Sequence, residues 1–262
     1  MIKKFMILGL ILLICFLAQT GSQAAEKQVI AGAGPSTRIV ELFFEAYGKL
    51  PEGGDYSFEI PPKSIKHSGG IKACESFVFG RTGRPLNEEE KKMNKDEIIL
   101  GQIPVSIVAG SEAGIAKMTI QQLEGVVTGK IRNWKEIGGA DKEIQVIGRE
   151  ETEAIFTILK EKHPFFKGAK FSQVFQKDEA IVNYMKSPKG KYAVAFGAKS
   201  NFENIAEVQI VAVEGLRAGA ALGLVYDLGK KDHPLVKSVK AYAGSKSWVK
   251  VITDAGYLPP EG

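Results

Sequence analysis

The stretch TIQQLEGVVTGKIRNWKEIGG, residues 119–139, reads as one helix followed by one structured turn. Thr119 and Gln122 stand at capping-box spacing: the threonine hydroxyl accepts from the N–H three residues on, and the glutamine side chain reaches back to the cap. Met118 and Leu123 flank that start and can close a hydrophobic staple. The helix runs out near Gly129. Trp134, with Gly138-Gly139 behind it, predicts a turn in which the tryptophan is structural.

Outward from this stretch, short apolar strands alternate with amphipathic helices, which argues for α/β architecture. On the N-terminal side, Gln28 to Ala31 is a strand. A helix starting at Ser36 or Thr37 puts Ile39, Val40, Phe43, Phe44 and Tyr47 on one face. Tyr56 to Ile60 is a strand, Ser68-Gly69-Gly70 begins a helix, and Phe77 to Gly80 ends a strand. Asn87 caps a helix whose first turn is Glu88, Glu89 and Glu90, acids suited to a helix N-terminus. Ile103 to Ala109 is a strand. On the C-terminal side, strands are expected at Ile144 to Ile147, Tyr192 to Phe196 and Ala220 to Tyr226. Helices are expected over Thr152 to Lys160 and Ser245 to Ala255, the last ending at Gly256.

Three strand-to-helix junctions share one design, a small-residue loop entering a helix: Gly34–Thr37, His67–Gly70 and Gly148–Thr152. A helix N-terminus presents free N–H groups and a partial positive charge, and small residues let a ligand approach the backbone. Plain capping explains each junction singly; three together point to an anion site.

The 262 residues are 44% apolar and 25% charged, an ordinary globular composition. Lys3 and Lys4, the apolar run Phe5 to Ala18 and the small residues of Ser22-Gln23-Ala24 predict a secretory signal over residues 1–24, hence a periplasmic or extracytoplasmic protein. The alternative is a retained anchor, but the apolar run falls short of the ~20 residues a spanning helix needs. Ile14 before Cys15 argues against lipid attachment. Without the signal, 33 basic residues face 30 acidic ones, so net charge drops from +5 to +3. That mild, dispersed charge gives no support to a nucleic-acid role. Cys74 is left alone, without a disulfide, and reads as a buried inert thiol. His163 and His233 precede prolines and take no role. Three histidines and one remaining cysteine offer no metal-ligand spacing, so neither metal nor cofactor is expected. No nucleophile–base motif indicates an enzyme, and no catalytic residue is assigned.

Several segments resemble one known family, the phosphate-binding proteins of ATP-driven importers. Residues 32–37 (GAGPST) resemble the family's first ligand loop, 68–73 (SGGIKA) its second, and 79–86 (FGRTGRPL) the segment after it. The most specific match is TIQQL followed by GKIRNWKEIGG, and the ending Gly256-Tyr257-Leu258-Pro259 agrees. The resemblance implies a two-lobed periplasmic-binding-protein fold, each lobe a mixed sheet flanked by helices. Lobe 1 would be 25–105 plus 221–262, and lobe 2 would be 106–220. Crossings are expected near Ile103–Val108 and Ala218–Val225. The ligand would be inorganic phosphate or a similar oxyanion, the partner the membrane subunits of an ABC permease, and the protein a monomer that catalyses nothing.

Carried over by resemblance, ligand contacts fall on Ser36, Thr37, His67, Ser68 and Gly69, with Thr82 and Arg84 in the third segment. Arg149 corresponds to the arginine of the opposite lobe, whose planar fork suits an oxyanion. Two departures stand out. Gly83 occupies the position where many relatives carry a proton-accepting aspartate, and Arg84 fits a variant with serine followed by arginine. Where the family has Ser-Gly-Thr after the arginine, this chain has Glu150, Glu151, Thr152 and Glu153, with Thr152 able to replace one hydroxyl. Arg81 and Arg84 have two readings, solvated surface or cleft. The alternative function is a sensor or accessory domain of the same fold that does not bind phosphate.

Overall fold

A computed structural model describes residues 25–260; the expected signal, including Cys15, lies outside the described residues. Among the described residues ten strands and eight helices alternate in the α/β manner expected. Strands β1 (Glu26–Val29) and β2 (Tyr56–Glu59) pair in parallel. The larger sheet contains β3 (Gly80–Thr82), β4 (Lys95–Gly110), β6 (Gln145–Arg149), β7 (Gln173–Phe175), β8 (Ala193–Ala198) and β10 (Gly219–Asp227). Its order is β3-β10-β4-β8-β6-β7. Beside β4 lies β9 (Val208–Glu214), and beside β9 lies β5 (Lys117–Thr119).

Strand β4 is 16 residues long and serves two bodies. Its first part, Lys95 to Pro104, pairs antiparallel with β10. From Val105 onward it pairs with β8 and β9 instead. Pro104 stands at the change of partner, where a residue without an N–H removes nothing from either ladder. Val105 N–H there donates to Ala218 O at 3.0 Å.

The buried apolar residues separate accordingly. One core gathers the inner face of α1 (Thr37–Tyr47) with α7 (Pro234–Ala243), α8 (Lys246–Asp254), Leu100 and Leu224. The α1 face is the stripe read from sequence, Ile39, Val40, Phe43, Phe44 and Tyr47, all buried. Each such side chain contributes about 1.5–3 kcal/mol of transfer free energy before ordering entropy is counted. A second core joins α4 (Ile120–Val127), α5 (Ala154–Lys162), Trp134 and Phe166 against β6 and β8. A third, around Ile181 and Met185 of α6 (Asp178–Lys186), covers the other face of the same sheet.

The opening stretch folds as read. Thr119 and Gln122 form the capping box, Met118 and Leu123 are both buried, and Trp134 Nε1 donates to Tyr192 O at 2.8 Å. Asn87 caps α3 (Glu88–Lys92) in a second capping box. Helix α2 (Lys66–Ser76) begins two residues before the expected Ser68, because Ser64 Oγ accepts from Lys66 N–H and starts the turn early. Helix α5 begins at Ala154, not Thr152, because the Glu153 carboxylate caps it by accepting from Phe156 N–H at 2.7 Å. His163 accepts from Arg217 N–H, and His233 caps α7, so both have structural partners.

Candidate functional site

Two of the three glycine-bearing junctions and the segment around β3 are tied in one knot. Arg81 N–H donates to Ala31 O at 2.9 Å, Ala33 N–H donates to Arg81 O at 3.1 Å, and Ile65 N–H donates to Gly32 O at 3.0 Å. The backbones approach so closely that a side chain would not fit. A Cβ on Gly32, whose φ is +152°, would lie 2.0 Å from Arg81 O; one on Gly70 would lie 2.2 Å from the same oxygen. The Arg81 side chain is fully buried, which excludes the solvated reading.

The expected ligand residues of this half take different places. Ser36 is buried and donates to Ala33 O at 3.0 Å. Thr37 opens α1. His67 is the second residue of α2, while Ser68 beside it is exposed. Gly69 is packed on Ile65, where a Cβ would lie 2.7 Å from Cγ1. Thr82 ends β3 and is fully buried. Among the described residues, the buried side-chain N and O atoms without a hydrogen-bond partner are Thr37 Oγ1, His67 Nδ1 and Thr82 Oγ1. All three belong to the expected ligand set. An unpaired buried polar atom costs about 1–3 kcal/mol, so three of them on segments joined by backbone hydrogen bonds require a reason.

His67 Nε2 faces the Glu90 carboxylate at 3.2 Å. Burial, followed by the Arg84 charge, lowers its pKa and keeps the imidazole neutral. A carboxylate only accepts, so Nε2 carries the proton and Nδ1 is left as an acceptor. Arg84 is exposed, and its fork grips Glu90 through two bonds of 2.8 Å. That grip, with the Asn87 N–H and His67, brings the Glu90 pKa from 4.5 down to about 2. A depressed carboxylate contributes stability above its unfolded pKa and loses it as pH falls through the folded one. Acid titration of the wild type is therefore expected to show a loss between pH ~4.5 and ~2 that Glu90→Gln lacks. Chemical denaturation at stepped pH reads it, and parallel curves for the two proteins would count against it.

In the other half, Arg149 ends β6, only 9% exposed. Its fork is already engaged. Nε and Nη2 donate to Glu150 at 2.9 and 3.1 Å, Nη1 pairs with Asp178, and Nη2 also reaches Gln176 O at 3.3 Å. The other glutamates turn elsewhere, Glu151 to Lys160 and Glu153 to its own helix. Thr152 is exposed and outside α5. A cleft of about 760 Å³ borders Asp178, the partner of Arg149, and none of the expected ligand residues lines it. It is lined by Pro35 and Arg38, by Ile103 and Pro104, and by Asp178 with residues 198–201. The sequence reading missed Arg81 as a buried residue, and missed Glu90 and Asp178 as partners. Glu90 was visible as a first-turn acid, but pairing across 23 and 29 residues leaves no local pattern.

Among the described residues no group of histidine, cysteine, aspartate and glutamate could hold a metal ion, and no helix is long and apolar enough to cross a membrane. Cys74 is buried, and burial raises its thiol pKa, as an inert thiol requires.

A family model described as the PBP superfamily domain matches residues 17–254. The chain is 24% identical over 183 residues to the phosphate-binding protein PstS of Borreliella burgdorferi, covering 69% of this chain and 64% of that one. It is 31% identical over 136 residues to PstS of Bacillus subtilis, covering 51% and 41%. The matches thus span less than two thirds of either relative's length. A crystal structure from Clostridium perfringens with bound phosphate aligns at a TM-score of 0.58 and 21% identity, covering 90% of this chain and 100% of that one.

Proposed function

The chain belongs to the PBP superfamily, and from that membership we propose that it captures a small oxyanion, phosphate first, in an interlobe cleft and delivers it to the membrane subunits of an ABC permease. The lobes are residues 25–105 with 221 onward, and 106–220, a division supported by the change of partner along β4. Export through residues 1–24 gives an extracytoplasmic location, and the protein works as a monomer that binds without catalysis.

The observation that carries this reading is the trio of unpartnered buried atoms. Thr37 and Thr82 offer hydroxyl donors, and His67 Nδ1 offers an acceptor. Hydrogenphosphate satisfies all three, because it brings acceptor oxygens and one proton; sulfate brings no proton. The start of α1 adds its N–H groups and dipole. Both curated relatives carry the name phosphate-binding protein.

Calorimetric titration of ligand-stripped protein with phosphate, sulfate, molybdate and tungstate tests the proposal. Phosphate is expected to bind with the largest heat, and Thr37→Val with Thr82→Val to weaken it by about tenfold or more. No heat and no thermal shift with any of the four overturns the reading. The engaged state of Arg149 favours the second reading, a sensor or accessory domain without phosphate affinity. That reading predicts a protein partner captured by crosslinking in membranes, and tight phosphate binding excludes it.

A further inference from the structure

Arg81 sits at the centre of the loop knot, and its charge, as distinct from its hydrogen bonds, is employed neither by an ion pair of the fold nor by the expected ligand contacts. Its side chain is fully buried. Nε donates to Ala33 O at 2.9 Å, Nη1 to Ile30 O at 2.8 Å and Nη2 to Lys63 O at 3.4 Å. All three acceptors are neutral backbone carbonyls. A guanidinium has five N–H donors, so these bonds leave two to spare. Among the described residues no carboxylate forms an ion pair with it, and the acid that favours its charge, Glu41, acts from outside pairing distance.

A buried cation without a counter-ion opposes folding, and an apolar residue of similar volume in the same place is often neutral or stabilising. The carbonyls compensate part of that penalty and leave the charge itself unneutralised. The position of this charge is informative. Ala33 O accepts from both Arg81 Nε and Ser36 Oγ, so one carbonyl separates the guanidinium from the start of α1. Thr82, with its unpartnered hydroxyl, is the next residue on β3, so its side chain leaves the strand on the opposite face from that of Arg81. An anion held by Thr37 and Thr82 would act on Arg81 across β3, through a low-dielectric interior where charges act more strongly than at a surface.

We propose that Arg81 is the buried counter-charge of the oxyanion site, a specificity-determining residue that favours an anion at Thr37 and Thr82 and is neutralised when the anion arrives. The proposal rests on the oxyanion reading above. It differs from a purely mechanical role, in which the fork only staples Ile30, Ala33 and Lys63.

The test compares wild type, Arg81→Lys, Arg81→Met and Arg81→Gln by phosphate calorimetry, with circular dichroism and thermal unfolding as the check of fold. The counter-charge role predicts that Arg81→Met and Arg81→Gln each weaken phosphate by roughly tenfold or more, and that Arg81→Lys recovers most of the loss. A staple predicts the opposite grouping, because one lysine ammonium cannot span three carbonyls: lysine then fails as methionine does. If methionine does not fold, glutamine gives the uncharged arm. Equal losses in all variants, or none in any folded one, overturn the proposal while leaving the oxyanion reading intact. A wild type that binds no oxyanion overturns both.

Discussion

Gly80→Ala is expected to lose about 3 kcal/mol or more of stability and to abolish oxyanion binding with it. A Cβ at position 80 would lie 1.9 Å from Gly70 O and 2.7 Å from Gly70 C. Both atoms are backbone, so no rotamer relieves the contact and α2 must lift away from β3. That motion moves His67, at the start of α2, away from Thr82 on β3. Extra atoms in a packed interior typically cost about 1–3 kcal/mol, and this contact stands at the upper end because helix and strand both have to shift. Gly229→Ala is the control: a Cβ there meets nothing within 4 Å, and a surface change of that kind stays within about 0.5 kcal/mol. Urea unfolding of the two variants, with phosphate titration of each, reads both effects. Equal midpoints would mean that the approach of α2 to β3 is not as close as described.

The same contact shows what the sequence could and could not convey. Gly70 was legible in one of the three junctions that suggested an anion site, Gly32 as the start of the loop entering another, and Gly80 as the end of a strand. That they meet one another at Arg81 O and Gly70 O depends on long-range pairing, which carries no periodicity. The helices that bury a stripe were legible, as α1 was, because the 3.6-residue repeat is local. Strand β4 was legible only from Ile103, since its first half, Lys95 to Gln102, mixes charged and apolar residues. Lys95 looks like surface in sequence. It is buried and paired with Asp227 at 2.7 Å and Glu75 at 3.2 Å, partners 132 and 20 residues away. Arg81 and Asp178 follow the same rule. A charge is read as solvated until its distant partners are in place, so the polar half of the site was the less legible half. Thr37, His67 and Thr82 were picked out through resemblance, and the structure adds that each holds a buried polar atom without a partner.

Releasing Arg149 from its two acids is expected to raise phosphate affinity. In the wild type Glu150 and Asp178 neutralise the guanidinium, so an arriving anion has to displace them or tolerate their charge. Two unit charges about 4 Å apart interact by about 4 kcal/mol at an effective dielectric near 20. Asp178 is 55% exposed and Glu150 26%, so solvent screening leaves only a part of that attraction to be regained on removing them. Glu150→Gln with Asp178→Asn should then bind phosphate about tenfold more tightly, 1.4 kcal/mol being a factor of ten. The decisive comparison is a cycle with Arg149→Ala. If Arg149 is a ligand group held back by its own neighbours, alanine costs little affinity in the wild type and roughly tenfold or more in the released background, a clear departure from additivity. If Arg149 only braces β6 against α6, alanine costs the same in both backgrounds and the double neutralisation changes nothing. Thermal shifts follow the same logic: an unpartnered Arg149 destabilises the free protein, and phosphate restores more stability than it adds to the wild type, because binding to the folded state alone stabilises it by mass action.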